Sequence, residues 1–209
     1  MKRGLFVTFE GVEGVGKSTQ ADLLAQRISS ELEVEVVLTR EPGGTELAEQ
    51  LRTLVLEHKT FNVSDRTEAL LMAAARADHV ANLIYPNLRN GTYVICDRFA
   101  GSFLAYQGYG RGLDLETLAL ITHFASDALE PDITFYLKSD PEYAMRRKGG
   151  KRDRIESQTL EFFSNVSTGY DELALAHDWV TLDASRSIEE LHEAIFANTL
   201  VVMQSYGVK

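Results

Sequence analysis

The stretch Gly11-Val-Glu-Gly-Val-Gly-Lys-Ser18 matches the pattern G-x-x-x-x-G-K-[ST] at every defined position. It follows an apolar run of strand length, Leu5–Phe9, and opens a stretch of helical character, Ser18–Ser30. A glycine-rich turn between a strand and a helix can aim backbone N–H groups at a phosphate, beside the positive end of the helix dipole. The motif and its context therefore predict a phosphate-binding P-loop; the alternative is a glycine-rich turn that binds nothing.

The side chains of this loop indicate how it would hold a nucleotide. Lys17 would neutralise the β- and γ-phosphate oxygens and contribute to catalysis, and the Ser18 hydroxyl is a hard oxygen ligand suited to Mg²⁺. A second Mg²⁺ ligand is expected from Asp97, which ends the third apolar run beside Arg98; a structural Asp–Arg pair is the alternative. The residues assigned to ATP binding are Gly11, Val12, Glu13, Gly14, Val15, Gly16, Lys17, Ser18 and Thr19.

Short apolar runs alternate with helical stretches, which is typical of a parallel sheet with right-handed crossovers. The predicted strands, which lack strict polar alternation, are Leu5–Phe9, Val34–Thr39, Tyr93–Cys96, Ile133–Leu137 and Trp179–Leu182. The predicted helices are Ser18–Ser30, Thr45–His58, Thr67–Asn90 with a bend or fraying at Pro86, one starting at Asp140, and one after a capping box at Ser187 and Glu190. This order predicts an α/β P-loop NTPase three-layer fold, a five-stranded parallel sheet flanked by helices, as a single domain over residues 1–209.

The composition limits the classes of partner. The 209 residues are 44% hydrophobic and 25% charged, and the formal net charge is −10. An acidic surface argues against sequence-independent nucleic-acid binding, which depends on Lys and Arg contacts to phosphates. No apolar run approaches the roughly 20 residues needed to cross a membrane. With Cys96 as the one cysteine, no intrachain disulfide can form, so we expect a cytoplasmic protein without nucleic-acid or membrane partners.

Two further segments carry cations suited to an anionic substrate. In Thr39-Arg-Glu-Pro-Gly-Gly44, proline and glycine shape a rigid turn that would aim Arg40 at the crevice beside the sheet. The run Met145–Arg154 is rich in arginine and lysine around a Gly-Gly break. A lid at about residues 146–156 would close over the triphosphate, exclude water and stabilise the transferring phosphoryl group. A solvated charged face is the alternative for this run.

In combination these motifs resemble the thymidylate kinase family, in its bacterial type, within the P-loop nucleoside monophosphate kinases. The resemblance runs from Phe6 to about Leu200. The segments that carry it are Phe9-Glu-Gly-Val-Glu-Gly-Val-Gly-Lys-Ser-Thr19, Thr39-Arg-Glu-Pro-Gly-Gly44, Asp97-Arg98, Ala105-Tyr-Gln-Gly108 and Asp153-Arg-Ile-Glu156. The resemblance implies direct in-line phosphoryl transfer from Mg·ATP to dTMP. It also implies a homodimer, for which Leu70, Leu71 and Ala73–Ala75 would suit close packing.

The resemblance implies roles at the acceptor site. Glu13 would accept a hydrogen bond from the 3′-hydroxyl of dTMP, and Arg40 and Arg98 would hold its 5′-phosphate, with Arg98 also contributing to catalysis. Arg76 would read the thymine O4 edge; its alternative is a surface pair with Asp78 or a nearby acid. Tyr106 would pack under the sugar, or serve as core filler, and Gln107 would lie near the base. The substrate-binding set is Glu13, Arg40, Met72, Arg76, Arg98, Ser102, Phe103, Tyr106 and Gln107.

The family's transition-state arginines are expected in the lid of this chain. Gly14 stands where the eukaryotic type of the family has an arginine in the P-loop. The bacterial type supplies this charge from the lid instead. The candidates for this catalytic role are Arg146, Arg147 and Arg154, with Arg152 as a further candidate.

Two positions depart from the family pattern at the base. Met72 replaces a phenylalanine that stacks on thymine, and Phe103 replaces a small polar residue that bonds the base. We expect the Met72 sulfur to pack on the base while Phe103 supplies an aromatic wall, with weaker discrimination between thymine and uracil. Two other functions stay open: another P-loop nucleotide or nucleoside kinase, and a P-loop switch NTPase. The sequence lacks the Asn-Lys-x-Asp motif that guanine-nucleotide switches need.

Overall fold

The computed structural model describes residues 3–57, 63–147 and 153–205, with the main chain alone for Met145, Arg146, Arg147 and Ser205. Five parallel strands form one sheet in the order β2-β3-β1-β4-β5 and are flanked by helices, which confirms the predicted α/β P-loop fold class. The strands are β1 (Phe6–Glu10), β2 (Val36–Arg40), β3 (Tyr93–Asp97), β4 (Ile133–Lys138) and β5 (Val180–Asp183). The helices are α1 (Lys17–Leu32), α2 (Glu46–Leu56), α3 (Asp65–His79), α4 (Tyr85–Arg89), α5 (Ala100–Phe103), α6 (Leu115–Ala125), α7 (Pro141–Arg147), α8 (Leu160–Ala176) and α9 (Ile188–Ser205), with π-helical segments at Val80–Ile84 and Leu104–Gly110.

The central strands are apolar on both faces because helices cover the sheet on both sides. Every residue of β1 is buried, whereas the edge strand β2 is partly exposed. In the register, Asp97 pairs with Phe9 of β1 on one side and with Arg40 of β2 on the other. The carboxyl ends of these three strands therefore meet at one edge of the sheet. There the predicted Mg²⁺ ligand Asp97 is paired with Arg40 and is directly followed in the chain by Arg98.

The long helix predicted over Thr67–Asn90 is divided in the structure. It begins at Asp65 as α3, widens into the π-helical segment Val80–Ile84, and continues as α4 with Pro86 in its first turn. Proline lacks an N–H group, and its ring clashes with the carbonyl four residues earlier, so a wider turn before Pro86 relieves the conflict without ending the helix. The predicted stop is confirmed, since Gly91 adopts a φ of 86° directly after the helix.

The predicted helix starts near Asp140 and Ser187 are confirmed by their capping bonds. The Tyr143 amide donates to Asp140 Oδ1 at 3.0 Å. At Ser187 the capping box is reciprocal: the Glu190 amide donates to Ser187 Oγ at 3.1 Å, and the Ser187 amide donates to Glu190 Oε2 at 3.0 Å. Local sequence alone explains these two helix starts, because each cap satisfies N–H groups that the helix cannot satisfy internally.

Sequence patterns did not assign helices α5, α6 and α8 or the π-helical segment Leu104–Gly110. This segment packs against α8, and two glycines permit the close approach. A Cβ placed on Gly169 would lie 2.5 Å from Tyr109 Cδ2, and one on Gly110 would lie 2.6 Å from Phe162 Cε2. The rings of Tyr106 and Tyr170, one from each element, meet edge to face with centroids 6.3 Å apart. This packing fixes the side of the site formed by Tyr106.

None of the helices in the described ranges is both long and apolar enough to traverse a bilayer. On α3, Ala73 and Ala75 are buried within the chain. They therefore cannot provide the packing surface between subunits that the sequence suggested for Ala73–Ala75. Leu70 and Ala74 remain exposed on this helix.

Replacement of Gly169 by alanine is expected to lower the free energy of unfolding by about 1–3 kcal/mol, despite the better helix propensity of alanine, because the added methyl overlaps the Tyr109 ring near its backbone. Urea unfolding monitored by circular dichroism measures the change. Asn165→Ala, on an exposed position of the same helix, is the matched control and should stay within about 0.5 kcal/mol of wild type. A Gly169→Ala protein as stable as the control would contradict the close packing.

Candidate active site

A cavity of about 420 Å³ opens at the carboxyl ends of β1, β2 and β3. It brings together residues that are distant in the chain, from the P-loop, the turn after β2, helix α3 and the segment after β3. Its lining includes these residues predicted from the sequence: Glu13, Gly14, Gly16, Lys17, Ser18, Arg40, Met72, Arg76, Asp97, Arg98, Ser102, Phe103, Tyr106 and Gln107. Gly11, Val12, Val15, Thr19 and Arg154 were also predicted but do not line it.

The P-loop turn is built by glycine conformations and by anchored valines. Gly11 and Gly16 have φ values of 138° and 99°, which L-residues with side chains rarely adopt. A Cβ on Gly11 would also lie 2.6 Å from the Leu137 carbonyl oxygen. Val12 and Val15 point into the core, being 3% and 2% exposed. They therefore hold the loop in place, and only their backbone groups can face a phosphate.

Lys17 is a buried cation at the start of α1. Its Nζ donates a hydrogen bond to the Val12 carbonyl at 2.7 Å, and the residue is 5% exposed. Burial, together with the nearby charge of Arg98, lowers the pKa of Lys17 to about 8, against the opposing charge of Glu13. The side chain is still mostly protonated at neutral pH, so it keeps the charge that phosphate binding needs.

Ser18 and Asp97 form an oxygen pair suited to Mg²⁺. The Ser18 hydroxyl donates to Asp97 Oδ2, while Asp97 Oδ1 is buried and has no hydrogen-bond partner in the described part of the chain. The described residues contain no group of three or more His, Cys, Asp or Glu side chains able to hold a metal by themselves. A site with one or two protein oxygens fits Mg²⁺, which completes its shell with water and substrate phosphate.

Arg98 is held by an unusually dense set of contacts. Its Nη1 donates to Gly11 O at 2.8 Å, to Ser102 Oγ at 3.0 Å and to the Tyr170 hydroxyl at 2.9 Å. Its backbone has a φ of 71°, a strained value for a side-chain-bearing residue that the surrounding contacts must maintain. Burial would lower the pKa of Arg98, but the charge of Glu13, together with Tyr106, Tyr170 and Asp97, outweighs burial and holds that pKa well above its usual value. Arg98 is therefore a permanent, pre-oriented cation in the cavity wall.

Glu13 and Arg98 pair with each other in this structure, with Glu13 Oε1 2.6 Å from Arg98 Nη2. The family resemblance assigned the two residues to different parts of the same acceptor nucleotide. Their contact places the predicted sugar-binding carboxylate next to the predicted phosphate-binding guanidinium.

Arg40 and Arg76 differ in burial and in partner. Arg40 lines the cavity but is half exposed, and its Nη2 contacts both carboxylate oxygens of Glu49 at 3.0 Å. Arg76 is 4% exposed, and its Nε and Nη2 donate to Glu41 Oε2 at 2.8 and 2.6 Å. A surface pair of Arg76 with Asp78 is therefore wrong: α3 turns Arg76 inward, toward Glu41.

The remaining predicted acceptor residues form a mostly apolar part of the cavity. Phe103 is 2% exposed and Met72 is partly buried, and both line the cavity as the sequence suggested for a base-binding wall. Tyr106 is 6% exposed, with Arg98 5.2 Å from its ring centroid. Burial raises the pKa of Tyr106, so this hydroxyl stays protonated. Ser102 donates to the buried Glu10 at 2.6 Å, so it supports the wall from behind.

Arg154 is the one predicted lid arginine with a described side chain, and it does not line the cavity. Arg154 donates from Nε to the Val55 carbonyl at 2.9 Å and from Nη2 to Glu68. Arg146 and Arg147 lie in the last turn of α7, where only the main chain is described. Arg152, the further candidate, lies outside the described residues.

Several residues that shape the site were missed from the sequence. Glu10, Glu41 and Glu68 are buried carboxylates that hold Ser102, Arg76 and Gln107, and Tyr170 contacts Arg98 from α8. Glu10 directly precedes the P-loop, and Glu41 directly follows Arg40 in the turn after β2. An acidic residue next to such a motif, in an apolar or glycine-rich stretch, could have indicated a buried carboxylate. Glu68 and Tyr170 carry no such signal. Further cavity residues that were not predicted are Pro42, Arg52, Leu56, Phe99, Asp153, Ile155 and Glu156.

Comparisons with known proteins agree with this geometry. The family model described as Thymidylate kinase matches residues 9–195. The thymidylate kinase of Symbiobacterium thermophilum is 48% identical over 194 residues, covering 91% of this chain and 90% of that protein, and that of Pelobacter propionicus is 41% identical over 207 residues, covering 94% of each. The crystal structure of thymidylate kinase from Ehrlichia chaffeensis superposes with a TM-score of 0.77 at 34% identity, covering 94% of this chain and 99% of that one. Since the matched residues include the P-loop, Arg40, Asp97, Arg98 and nearly the whole cavity wall, this chain belongs to the thymidylate kinase family.

Proposed function

We propose that this enzyme transfers the γ-phosphoryl group of Mg·ATP to the 5′-phosphate of dTMP, giving dTDP and ADP, in the supply of dTTP. The observation that carries the proposal is that one cavity contains both a P-loop lysine and a buried arginine wall with an apolar face. A P-loop alone binds a nucleoside triphosphate. The additional cations Arg40, Arg76 and Arg98 suit a second nucleotide with its own phosphate.

At the donor end, the P-loop backbone and Lys17 bind the triphosphate. Ser18 and Asp97 would hold Mg²⁺, because Asp97 Oδ1 is a buried acceptor with no partner among the described residues. When bound, the ion would neutralise part of the phosphate charge. Lys17 keeps its proton and offsets the charge that develops on the transferring group.

At the acceptor end, Arg98 and Arg40 bind the 5′-phosphate of dTMP. Arg98 is already oriented, so little conformational freedom is lost when it binds the anion. Glu13 accepts a hydrogen bond from the 3′-hydroxyl, and the Tyr106 ring packs under the sugar. The attacking phosphate oxygen is anionic at neutral pH, so transfer proceeds in line without a strong side-chain base. Arg146, Arg147 and Arg154 are the proposed lid arginines for the transition state.

At the base, Arg76 reads thymine O4, while Met72 and Phe103 supply the apolar contact. The Phe103 ring cannot donate or accept a conventional hydrogen bond. We therefore expect part of the discrimination between thymine and uracil to depend on the thymine methyl packing against this wall, a contribution of about 1–3 kcal/mol at most.

A second copy of this chain is the proposed partner, in a cytoplasmic homodimer. On α6, Leu120 and Phe124 lie one turn apart and are 72% and 88% exposed. On α3, which packs against α6, Leu70 is 58% exposed and Ala74 is exposed one turn later. An apolar surface on two adjacent helices is typical of a protein–protein interface, and the symmetric pairing of identical surfaces is the commonest way to bury it.

Incubation with ATP, Mg²⁺ and each common nucleoside monophosphate tests the proposed function. We expect coupled ADP release with dTMP as the best acceptor, a smaller rate with dUMP, and loss of activity when EDTA removes the metal. Preference for a different monophosphate or for a nucleoside would favour another kinase of this fold. Steady ATP hydrolysis that dTMP does not change would favour a switch NTPase.

Lys17→Ala is expected to lower kcat by about 10²–10³-fold or more, because charge stabilisation of the transferring phosphoryl group is lost. Single-turnover assays with saturating ATP and dTMP measure the chemical step. Lys138→Ala is the matched control, since Lys138 is an exposed lysine paired with Asp171 and lies outside the cavity. Near-normal turnover by the Lys17 variant would remove this residue from the mechanism.

Phe124→Asp is expected to convert the dimer to a monomer, because the substitution places a charge in the apolar interface. Sedimentation equilibrium at micromolar concentration measures the mass. Leu175→Asp is the matched control: Leu175 is 84% exposed on α8, and its replacement should leave the dimer intact. If wild type is monomeric, or if both variants remain dimeric, the α3–α6 surface is not the interface.

A further inference from the structure

Glu68 is a fully buried carboxylate at 0% exposure, and the reaction proposed above assigns it no part. It lies in the first turn of α3. Its Oε1 accepts from Gln107 Nε2 at 2.9 Å and from Arg111 Nε at 3.1 Å. Its Oε2 accepts from Arg111 Nη2 at 3.0 Å and from Arg154 Nη2. One carboxylate thus joins α3, the π-helical segment, the turn after it and Arg154 of the predicted lid segment.

The Glu68 carboxyl is ionised in this environment. Burial alone would raise its pKa, but the hydrogen bonds and charge of Arg111, with the contacts of Gln107 and Arg154, outweigh burial and hold the pKa below its ordinary value. An ionised carboxylate only accepts hydrogen bonds. Each of its neighbours must therefore turn a donor toward it.

This requirement fixes the orientation of the Gln107 amide. Its NH₂ group must face Glu68, so the carbonyl Oε1 is the polar atom left for the cavity that Gln107 lines. Gln107 is 2% exposed, and this burial limits the side chain to few rotamers. The cavity wall therefore presents a hydrogen-bond acceptor at this point.

Arg76 presents the opposite polarity in the same cavity. Four of its five N–H groups are used, two on Glu41 and one each on Thr122 Oγ1 and the Phe99 carbonyl. The fifth, on Nη1, is a donor without a partner among the described residues. Thymine and uracil carry an acceptor, O4, beside a donor, N3–H, whereas cytosine carries the donor N4 amine beside the acceptor N3. A donor from Arg76 and an acceptor from Gln107 match only the first pattern.

We propose that Glu68 is a positioning residue for base recognition: it holds Gln107 with Oε1 toward the cavity, where that oxygen accepts the N3–H of thymine. The inference rests on the proposed function, since it assigns the base contact of the dTMP site. Glu68 itself does not touch the substrate.

The test is Glu68→Gln, assayed with dTMP and dCMP. The oxygen of the new amide is expected to stay with Arg154 and Arg111 Nη2, which only donate. Its NH₂ then faces Gln107 and Arg111 Nε, and Arg111 Nε loses its acceptor. Gln107 must then turn its own oxygen inward and present NH₂ to the cavity, which disfavours N3–H and suits the N3 of cytosine. We expect the ratio of kcat/KM for dTMP to that for dCMP to fall at least about tenfold, mainly through a higher KM for dTMP.

Three further variants separate positioning from stability. Asp132→Asn is the stability control. Asp132 is a buried carboxylate that pairs with Arg3, and neither residue lines the cavity. The substitution should lower the melting temperature without changing the dTMP-to-dCMP ratio. Glu68→Asp keeps the negative charge beside Arg111, so it replaces Glu68→Gln as the test if that variant does not fold. Because its side chain is one methylene shorter, it should lose the contact with Gln107 and still lower the ratio. In a Gln107→Ala background, Glu68→Gln should change the ratio no further.

An unchanged dTMP-to-dCMP ratio in every folded Glu68 variant would overturn the proposal, whatever the loss of stability. So would an equal loss in the Gln107→Ala background. Failure of the wild-type enzyme to phosphorylate dTMP would instead overturn the proposed function, so the two failures are distinguishable in the same assay.

Discussion

Phe9 and Asp97 face each other across the parallel pairing of β1 with β3, and this register joins the P-loop to the acceptor wall. The Arg98 amide donates to the Phe9 carbonyl at 2.9 Å, and its guanidinium donates to the Gly11 carbonyl at 2.8 Å. Both ends of Arg98 are thus tied to the strand that leads into the P-loop. The strained φ of Arg98 is maintained because a relaxed backbone would break these bonds. Donor and acceptor phosphates can be brought together because Arg98 is fixed to the end of β1, directly before the P-loop that carries Lys17.

The site is surrounded by carboxylates that orient cations and amides; Glu41 and Glu68 are buried, and Glu13 is partly exposed. Glu41 holds Arg76, Glu68 holds Arg111 and Gln107, and Glu13 holds Arg98. Removing both charges of such a pair from water costs about as much as their attraction returns, so these pairs contribute little net stability. Their effect is geometric, since each fixes a side chain in the cavity wall before a substrate arrives. Preorganised cations are what phosphoryl transfer requires of a protein.

Much of the fold could be predicted from local patterns, because turns and helix starts depend on residues that are neighbours in the chain. Glycines with positive φ and a following helix define the P-loop, and the capping bonds at Asp140 and Ser187 depend only on neighbours in sequence. Helix α8 and the π-helical segment Leu104–Gly110 were not assigned. Their conformation depends on mutual packing through close glycine contacts, which a sequence pattern does not encode.

The sequence by itself determined the P-loop, the alternation of strands and helices, and the residue types gathered for two anionic nucleotides. These features depend on backbone torsions and on neighbours within a few positions. Only the tertiary structure decided the partners of the buried charges: Arg76 meets Glu41, and Arg154 meets Glu68 rather than the cavity. Those contacts join residues 35 and 86 positions apart. The sequence around a charged helical residue offers several oppositely charged neighbours as candidate partners. When the residue is buried, an unpaired charge costs so much free energy that the fold must supply a partner there, and that partner can be distant in the chain.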